Sequence, residues 1–389
     1  MYVEREIKQK FEKLKKVYSI LALVGARQCG KTTFLKEHVK SIKSNYLLFD
    51  DPDIRRLFEN DLKKFEKLYL EGFDLALFDE VQYCKDAGRN LKYFADSGRK
   101  IWLTSSSEAI LNKEVLSYLV GRVSILKLYP FSLGEFINAK NQKAFDNKIL
   151  ERLIWEHAIF GGYPKAVLEK EIEIKKIILK DLYDTMVLKD TARVFSIDDI
   201  SSLEEMIKYL AVKTSKILSY NDSSRDLSLP FQTIKKYLNA LEKSYLLKRV
   251  KPFFKNKLKE ITKQPKIYFI DTGLRNSIIN SFNPELSGEL FENYVFCELV
   301  KIELEPKYWR TKSGIEIDFI IEREKEIIPI EVKIKEQESG LSSLYSFIDI
   351  YKPKKAFIVS YNSESKKIEN FNGCKIISCN VLELVKELY

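Results

Sequence analysis

Histidine is almost missing: 389 residues hold only His38 and His157, far apart in the chain. A histidine-based metal centre or a Ser-His-Asp hydrolase needs a richer supply. Cysteine is scarce and scattered. Cys29, Cys84, Cys297, Cys374 and Cys379 are odd in number and form no C-x-x-C pair, which argues against a disulfide framework and a structural zinc site. Fourteen glycines and ten prolines are too few for a collagen-like or low-complexity chain. No apolar run approaches the ~18–20 residues that cross a bilayer. The opening Met1-Tyr2-Val3-Glu4-Arg5-Glu6 has no apolar signal core. A cytoplasmic protein with no membrane partner is expected. Any catalysis should rest on carboxylates, lysines and backbone amides.

Apolar residues make up 45% of the chain and charged residues 31%, enough to build real cores. At ~100–200 residues per domain, the length predicts two or three domains. The net charge is +10, and residues 231–275 hold twelve Lys or Arg against three Asp or Glu. Such a block suits a polyanion, most often nucleic acid. A solvated, lysine-rich face of a heat-adapted protein has the same composition.

The first motif follows a strand-length apolar run, Ser19-Ile20-Leu21-Ala22-Leu23-Val24. Gly25-Ala26-Arg27-Gln28-Cys29-Gly30-Lys31-Thr32 fits G-x-x-x-x-G-K-[ST], and the residues from Thr33 read as an amphipathic helix. Gly25 and Gly30 let the loop curl so that its N–H groups face phosphates, aided by the helix N-terminus. Lys31 can reach the β- and γ-phosphates of ATP, and the Thr32 hydroxyl can sit on Mg²⁺. A second run, Leu75-Ala76-Leu77-Phe78, ends in Asp79-Glu80. Asp79 is the candidate holder of the hydrated metal, and Glu80 the group that polarises the attacking water. A third strand, from Lys100 to Thr104, runs into Ser105-Ser106-Ser107, with Ser106 the candidate sensor of the γ-phosphate. Tyr46-Leu47-Leu48-Phe49-Asp50-Asp51-Pro52 reads as a strand closed by a proline turn, and 124–128 as a fifth strand. Arg122, just before it, could reach a γ-phosphate in its own chain or a neighbour's; a plain surface arginine is the alternative. The alternation predicts an α/β, mostly parallel, doubly wound sheet with ligands at the carboxyl ends of its strands.

Further along, helical patterning over 148–188 breaks at Gly161-Gly162-Tyr163-Pro164, either a lid hinge or a plain inter-helix turn. Residues 199–250 read as three helices and a strand, the winged-helix arrangement. Apolar positions Phe231, Ile234, Tyr237, Leu238 and Leu241 leave Gln232, Thr233, Lys235, Lys236 and Asn239 on the outer face of the helix that would enter a major groove. Lys248, Arg249, Lys251, Lys255, Lys257 and Lys259 could neutralise DNA phosphates. Winged helices also mediate protein contacts, so a protein partner stays open. In the last third, 316–321 and 327–333 read as a hairpin centred between Glu324 and Lys325. That register sets Asp318 opposite Glu331, with Lys333 on the same face. Asp318 and Glu331 could hold Mg²⁺ or Mn²⁺, with Glu292 a further ligand and Lys333 beside the phosphate, the D…ExK pattern of restriction-endonuclease-like nucleases. A charged hairpin or a non-cleaving fold is the alternative. A helix near 341–350, strands at 355–359 and 374–378 and a helix at 381–388 complete the unit.

Taken in order, the segments resemble prokaryotic AAA-type P-loop ATPases that carry a C-terminal domain of unknown function. The resemblance rests on Gly25–Thr33, Phe49-Asp50-Asp51-Pro52, Phe78-Asp79-Glu80-Val81-Gln82, Gly121-Arg122-Val123 and 128–136. It continues through Gly161-Gly162-Tyr163-Pro164, 266–274, Phe291-Glu292-Asn293-Tyr294-Val295 and Glu316-Ile317-Asp318-Phe319-Ile320. It implies an ATPase core (1–145), a helical lid (146–198), a winged-helix module (199–265) and a restriction-endonuclease-like domain (266–389). ATP and Mg²⁺ would be bound at the first site and a second Mg²⁺ or Mn²⁺ at the last. Homo-oligomers occur among such ATPases. The serine-rich end of the third strand departs from the glycine often found there. Three functions follow: an ATPase acting with DNA, a slow nucleotide switch that docks proteins, or a nuclease gated by ATP.

Overall fold

A computed structural model describes every residue except 1, 82–83, 107–117, 143–145, 255, 284, 325, 336–340 and 364. The chain forms two units. The first comprises 1–131 with returns at 185–197 and 243–245, and the second holds the rest.

The first unit is built on five parallel strands: β1 (Ile20–Val24), β2 (Ser44–Leu48), β3 (Leu75–Asp79), β4 (Ile101–Ser105) and β5 (Val123–Lys127), in the order β2-β3-β4-β1-β5. β1, β3 and β4 are buried at every position, which is why they read as unbroken apolar runs. From β1 the chain crosses to the far edge at β2, then steps back through β3 and β4. The carboxyl ends of β3, β4 and β1 thus lie side by side where the strand order reverses, the usual ligand position in such sheets. One face packs Leu21, Leu23, Leu77, Trp102 and Leu126 against Phe11, Phe34 and Leu35. Phe49, Phe58, Phe65, Phe78 and Phe94 form a second buried aromatic cluster. Each such ring contributes ~1.5–3 kcal/mol on burial. Pro52 does not close a turn as expected. It is the first residue of the helix Pro52–Asn60, capped by Asp51, whose Oδ1 accepts from the Asp53 N–H at 2.8 Å.

In the second unit, helices Ile200–Val212, Tyr220–Asp226 and Phe231–Lys243 precede β6 (Leu247–Val250). β6 pairs antiparallel with β7 (Lys266–Phe269) in a two-stranded sheet, and Ile217 makes a single antiparallel bridge to Lys266. A six-stranded sheet follows, in the order β12-β13-β11-β10-β9-β8. Its members are β8 (Lys307–Arg310), β9 (Glu316–Arg323), β10 (Glu326–Lys333), β11 (Lys355–Ser360), β12 (Lys367–Phe371) and β13 (Cys374–Cys379). The β9–β10 hairpin has the expected register, with Glu326 opposite Arg323 and Ile330 opposite Phe319; Lys325 lies outside the described residues. Helix Ser342–Tyr351 packs Leu344, Phe347 and Ile348 against Ile317, Ile320 and Ile358 of the sheet. The Gly161-Gly162 break is a close junction. A Cβ on Gly161 would lie 2.1 Å from Asp271 Oδ1, and the Gly162 N–H donates to Asp271 Oδ2 at 2.7 Å. Asp271 also caps the helix Thr272–Ile278. The break therefore packs tightly within this unit. Among the described residues no helix is long and apolar enough to cross a membrane.

Candidate functional site

The loop 25–30 leaves β1 and enters the helix Lys31–His38, whose N-cap Gly30 has φ 100°. Gly25 is required by space: a Cβ there would lie 2.0 Å from the Leu128 carbonyl oxygen. Gln28, exposed at the loop tip, holds a left-handed φ of 59°, a conformation that costs a non-glycine residue roughly 1–2 kcal/mol. Cys29 is buried and donates its thiol to the Leu128 carbonyl at 3.2 Å. Ala26 is buried, Arg27 half-buried and Thr33 exposed. Lys31 folds back over the loop, its Nζ donating to the carbonyls of Gly25 and Ala26 at 2.9 Å each.

At the neighbouring strand end, Asp79 collects three hydroxyl donors. Thr32 Oγ1 lies 2.9 Å from Oδ2, Tyr46 OH lies 2.6 Å from the same oxygen, and Thr104 Oγ1 bonds Oδ1. Burial, then the bond to Asp79, pushes the Tyr46 phenol above its ordinary range. One alkyl hydroxyl beside one carboxylate is the donor set a hydrated Mg²⁺ takes on a nucleotide, and Thr32 and Asp79 fit it. Glu80 follows with φ 60°, a left-handed glutamate at the end of a strand. Its N–H donates to Thr104 Oγ1 at 3.4 Å, and its Oε2 accepts from Ser106 Oγ at 3.2 Å. Ser106, expected to feel the phosphate, thus bonds Glu80. Ser107 and Gln82 lie outside the described residues. Thr104, Tyr46 and Arg5 escaped the sequence reading, and only Thr104 carried a local signal, as a polar residue closing a buried strand.

Arg122 lies at the other end of the sheet. Its carbonyl accepts from Ile20 N at the start of β1, and its Nε donates to Asp96 Oδ1 at 2.6 Å. The loop begins a whole strand away, about 16 Å at ~3.3 Å per residue. Arg122 does not reach the nucleotide site of its own chain.

A second group of charges gathers in the six-stranded sheet. Lys333 Nζ lies 3.0 Å from Glu331 Oε1, and Asp318 Oδ2 accepts from the Val332 N–H at 2.8 Å. Glu292, on the helix Gly288–Lys301, bonds Lys266 Nζ at 2.9 Å and the Tyr268 hydroxyl. Lys266 also pairs with Glu316. Burial, then the charge of Asp318, pushes Glu292 up to about 8. The same two causes raise Glu331, and burial raises Asp318. Burial acts to lower Lys266, but Glu292, Asp318 and Glu316 outweigh it and hold the ammonium above its ordinary range. The predicted cluster assembles, yet Lys266, which the sequence reading did not place there, sits inside it. Among the described residues no group of three or more His, Cys, Asp and Glu is arranged to hold a metal. The expected second Mg²⁺ or Mn²⁺ finds no support.

On the helix Phe231–Lys243, Gln232, Lys235, Lys236 and Asn239 are exposed and Thr233 is half-buried. Lys235 Nζ lies 4.5 Å from the Phe231 ring centroid. Arg249 is not presented outward as expected: it donates to Glu242 Oε2 at 2.8 Å and to Asn239 Oδ1 at 2.7 Å. Lys255 and the side chains of Lys257 and Lys259 lie outside the described residues.

Residues 17–137 match the family described as an AAA domain, 151–285 a domain of unknown function (DUF8612) and 287–382 a domain of unknown function (DUF4143). The N-terminal part of the chain is thus similar to AAA domains. An uncharacterized protein of Haemophilus influenzae is 27% identical over 378 residues, covering 92% of this chain and 93% of the relative. One of Methanocaldococcus jannaschii is 28% identical over 388 residues, covering 92% and 84%. Among solved structures, the Walker-type ATPase of Pyrococcus abyssi overlaps 71% of this chain and 96% of its own, at 14% identity and a TM-score of 0.48. The ADP form of the ORC2 protein of Aeropyrum pernix overlaps 72% and 94%, at 11% identity and 0.36.

Proposed function

We propose that this protein is an Mg²⁺-dependent ATPase whose nucleotide state is passed to a DNA-contacting winged helix and a nuclease-like domain. The observation that carries the reading is the meeting of Lys31, Thr32, Asp79, Glu80 and Ser106 at three adjacent strand ends beside a curled loop. The loop amides and Lys31 would hold the β- and γ-phosphates, and Thr32 and Asp79 the hydrated metal. Bound there, Mg²⁺ supplies positive charge to the phosphoryl oxygens. Glu80 accepts the proton of the attacking water, and Ser106 orients that carboxylate. The turn 243–245, which ends the helix bearing Lys235 and Lys236, clusters with the ATPase unit. There the Tyr245 ring meets Tyr129 edge-on, with centroids 6.4 Å apart, a route by which the loop's state could move that helix. In a homo-oligomer, Arg122 would serve a neighbour's nucleotide. Phosphate release tests the core of the reading: Lys31→Ala and Glu80→Gln should each lower it by about a hundredfold or more, and parental rates from both would refute it.

A second reading, a slow nucleotide switch with a catalytically silent docking domain, is favoured by one observation: Lys266 and Lys333 already pair with the acids of the sheet. Salt titration of DNA binding separates the two readings. Affinity falling steeply with salt supports phosphate contacts, and no binding at low salt favours the switch. Cleavage abolished by Asp318→Ala and Glu331→Ala would instead support a nuclease.

A further inference from the structure

We propose that Arg5 is a positioning residue of the phosphate loop, setting the direction of the Gly30 N–H. The proposal rests on the reading that this loop binds a nucleotide. Arg5 is only 5% exposed, and arginine is rarely so buried without dedicated partners. Its Nη1 donates to the Cys29 carbonyl at 2.9 Å and its Nη2 to the Tyr129 carbonyl at 2.6 Å. The guanidinium carbon stands 4.8 Å from the Phe131 ring centroid. A planar guanidinium spanning two carbonyls and resting on an aromatic ring is locked in place in a way that a lysine could not reproduce.

The consequence follows from the peptide unit. In a planar trans peptide the C=O and the next N–H point in opposite directions. Holding the Cys29 carbonyl toward Arg5 therefore turns the Gly30 N–H away from it, toward the concave side of the loop. That amide opens the helix Lys31–His38 and is one of those a β-phosphate needs. Two further contacts seat the loop on the segment that Arg5 clips: the Cys29 thiol on the Leu128 carbonyl, and Gly25 packed too closely against the same oxygen to admit a Cβ. Without the clip, the Cys29–Gly30 peptide is free to rotate, and the loop must be ordered at the moment of binding. The buried cation also lends positive potential to the phosphate side.

The test compares the affinities of the full-length protein for ATP, ADP and AMP, by competition against a fluorescent ADP, alongside melting temperatures. The loss of one charge-assisted hydrogen bond predicts ~10–100-fold weaker binding. Arg5→Met should therefore weaken ATP and ADP by about that factor while AMP moves less than about twofold, so that the ADP-to-AMP affinity ratio collapses. Arg5→Lys, which can remake one of the two bonds, should fall between and serves if the methionine variant does not fold. A lower melting temperature with an unchanged ADP-to-AMP ratio in the folded variants would overturn the proposal and leave nucleotide binding intact. A parent that binds no nucleotide would overturn both.

Discussion

The contact between Ser106 and Glu80 separates two mechanisms that the sequence alone leaves alike. Ser106 is 2% exposed, and its Oγ donates to Glu80 Oε2 at 3.2 Å. Ser106→Ala removes one hydrogen bond to a charged acceptor, worth ~1.5–3 kcal/mol in a good geometry. At 3.2 Å to a half-buried carboxylate the lower end applies. About 1.4 kcal/mol is a tenfold loss in rate, so kcat should fall about tenfold with ATP affinity unchanged. Glu80→Gln removes the base itself and should cost ~10²–10⁴ in kcat. If Ser106 acts only by holding Glu80, the two losses do not add: in the Glu80→Gln background, Ser106→Ala should change kcat less than about twofold. Steady-state phosphate release with a parallel fluorescent-nucleotide titration measures all four corners of this cycle. A full tenfold loss in both backgrounds would refute the reasoning and return Ser106 to direct contact with the γ-phosphate.

The left-handed Glu80 predicts that Glu80→Gly melts above Glu80→Ala, by the ~1 kcal/mol that a Cβ costs at positive φ; an alanine variant at least as stable would refute the strain. Glu292 is held up at about 8, so the fold favours its neutral form. That contribution is complete below the ordinary glutamate range and is lost as pH rises through about 8. The urea midpoint should decline from about pH 5 to about pH 8 in the parent, level off above that, and decline less in Glu292→Gln, and equal slopes would refute the assignment. Replacing Lys235 and Lys236 together by alanine should reduce the slope of log affinity for duplex DNA against log salt by ~1.8, from ~0.9 per lost phosphate contact. An unchanged slope would place the DNA elsewhere.

Legibility followed the local signal. The strand, loop and helix around Gly25–Thr32 and the acids after β3 could be read because each motif is contiguous and its chemistry constrains the spacing. The β9–β10 register was readable for a similar reason: the charged run 322–326 between two apolar stretches centres the turn between Glu324 and Lys325, and the period of two then sets which residues share a face. β12 was missed because Lys367–Phe371 is a mostly exposed edge with little apolar pattern. The turn beside it, Asn372-Gly373, with Phe371 opposite Cys374, is the dipeptide that favours a two-residue hairpin. The residues that escaped altogether act at long range. Arg5 reaches Tyr129 across 124 positions, and Tyr46 reaches Asp79 across 33. Nothing in the neighbourhood of either marks it. Arg249 misled for the converse reason: its place in a basic stretch suggested phosphate, while Glu242, seven residues earlier, had already claimed it.

The two carboxylate clusters look alike in sequence and differ in what surrounds them. At Asp79 the partners are hydroxyls from Thr32, Thr104 and Tyr46. Hydroxyls orient a carboxylate but leave its charge in place, so a cation arriving with phosphate still gains the full attraction. At Glu292 and Glu331 the partners include the ammonium groups of Lys266 and Lys333, and a divalent ion would first have to displace one of them. Displacing a buried ammonium strands its charge, which is the costly half of breaking a buried pair. Two acids on one sheet face therefore do not make a metal site by themselves: the sign of the third partner decides. At the C-terminal acids Lys266 ties β7 to the helix Gly288–Lys301 through Glu292 and to β9 through Glu316, and the cleavage test with Asp318→Ala and Glu331→Ala decides whether they also do chemistry.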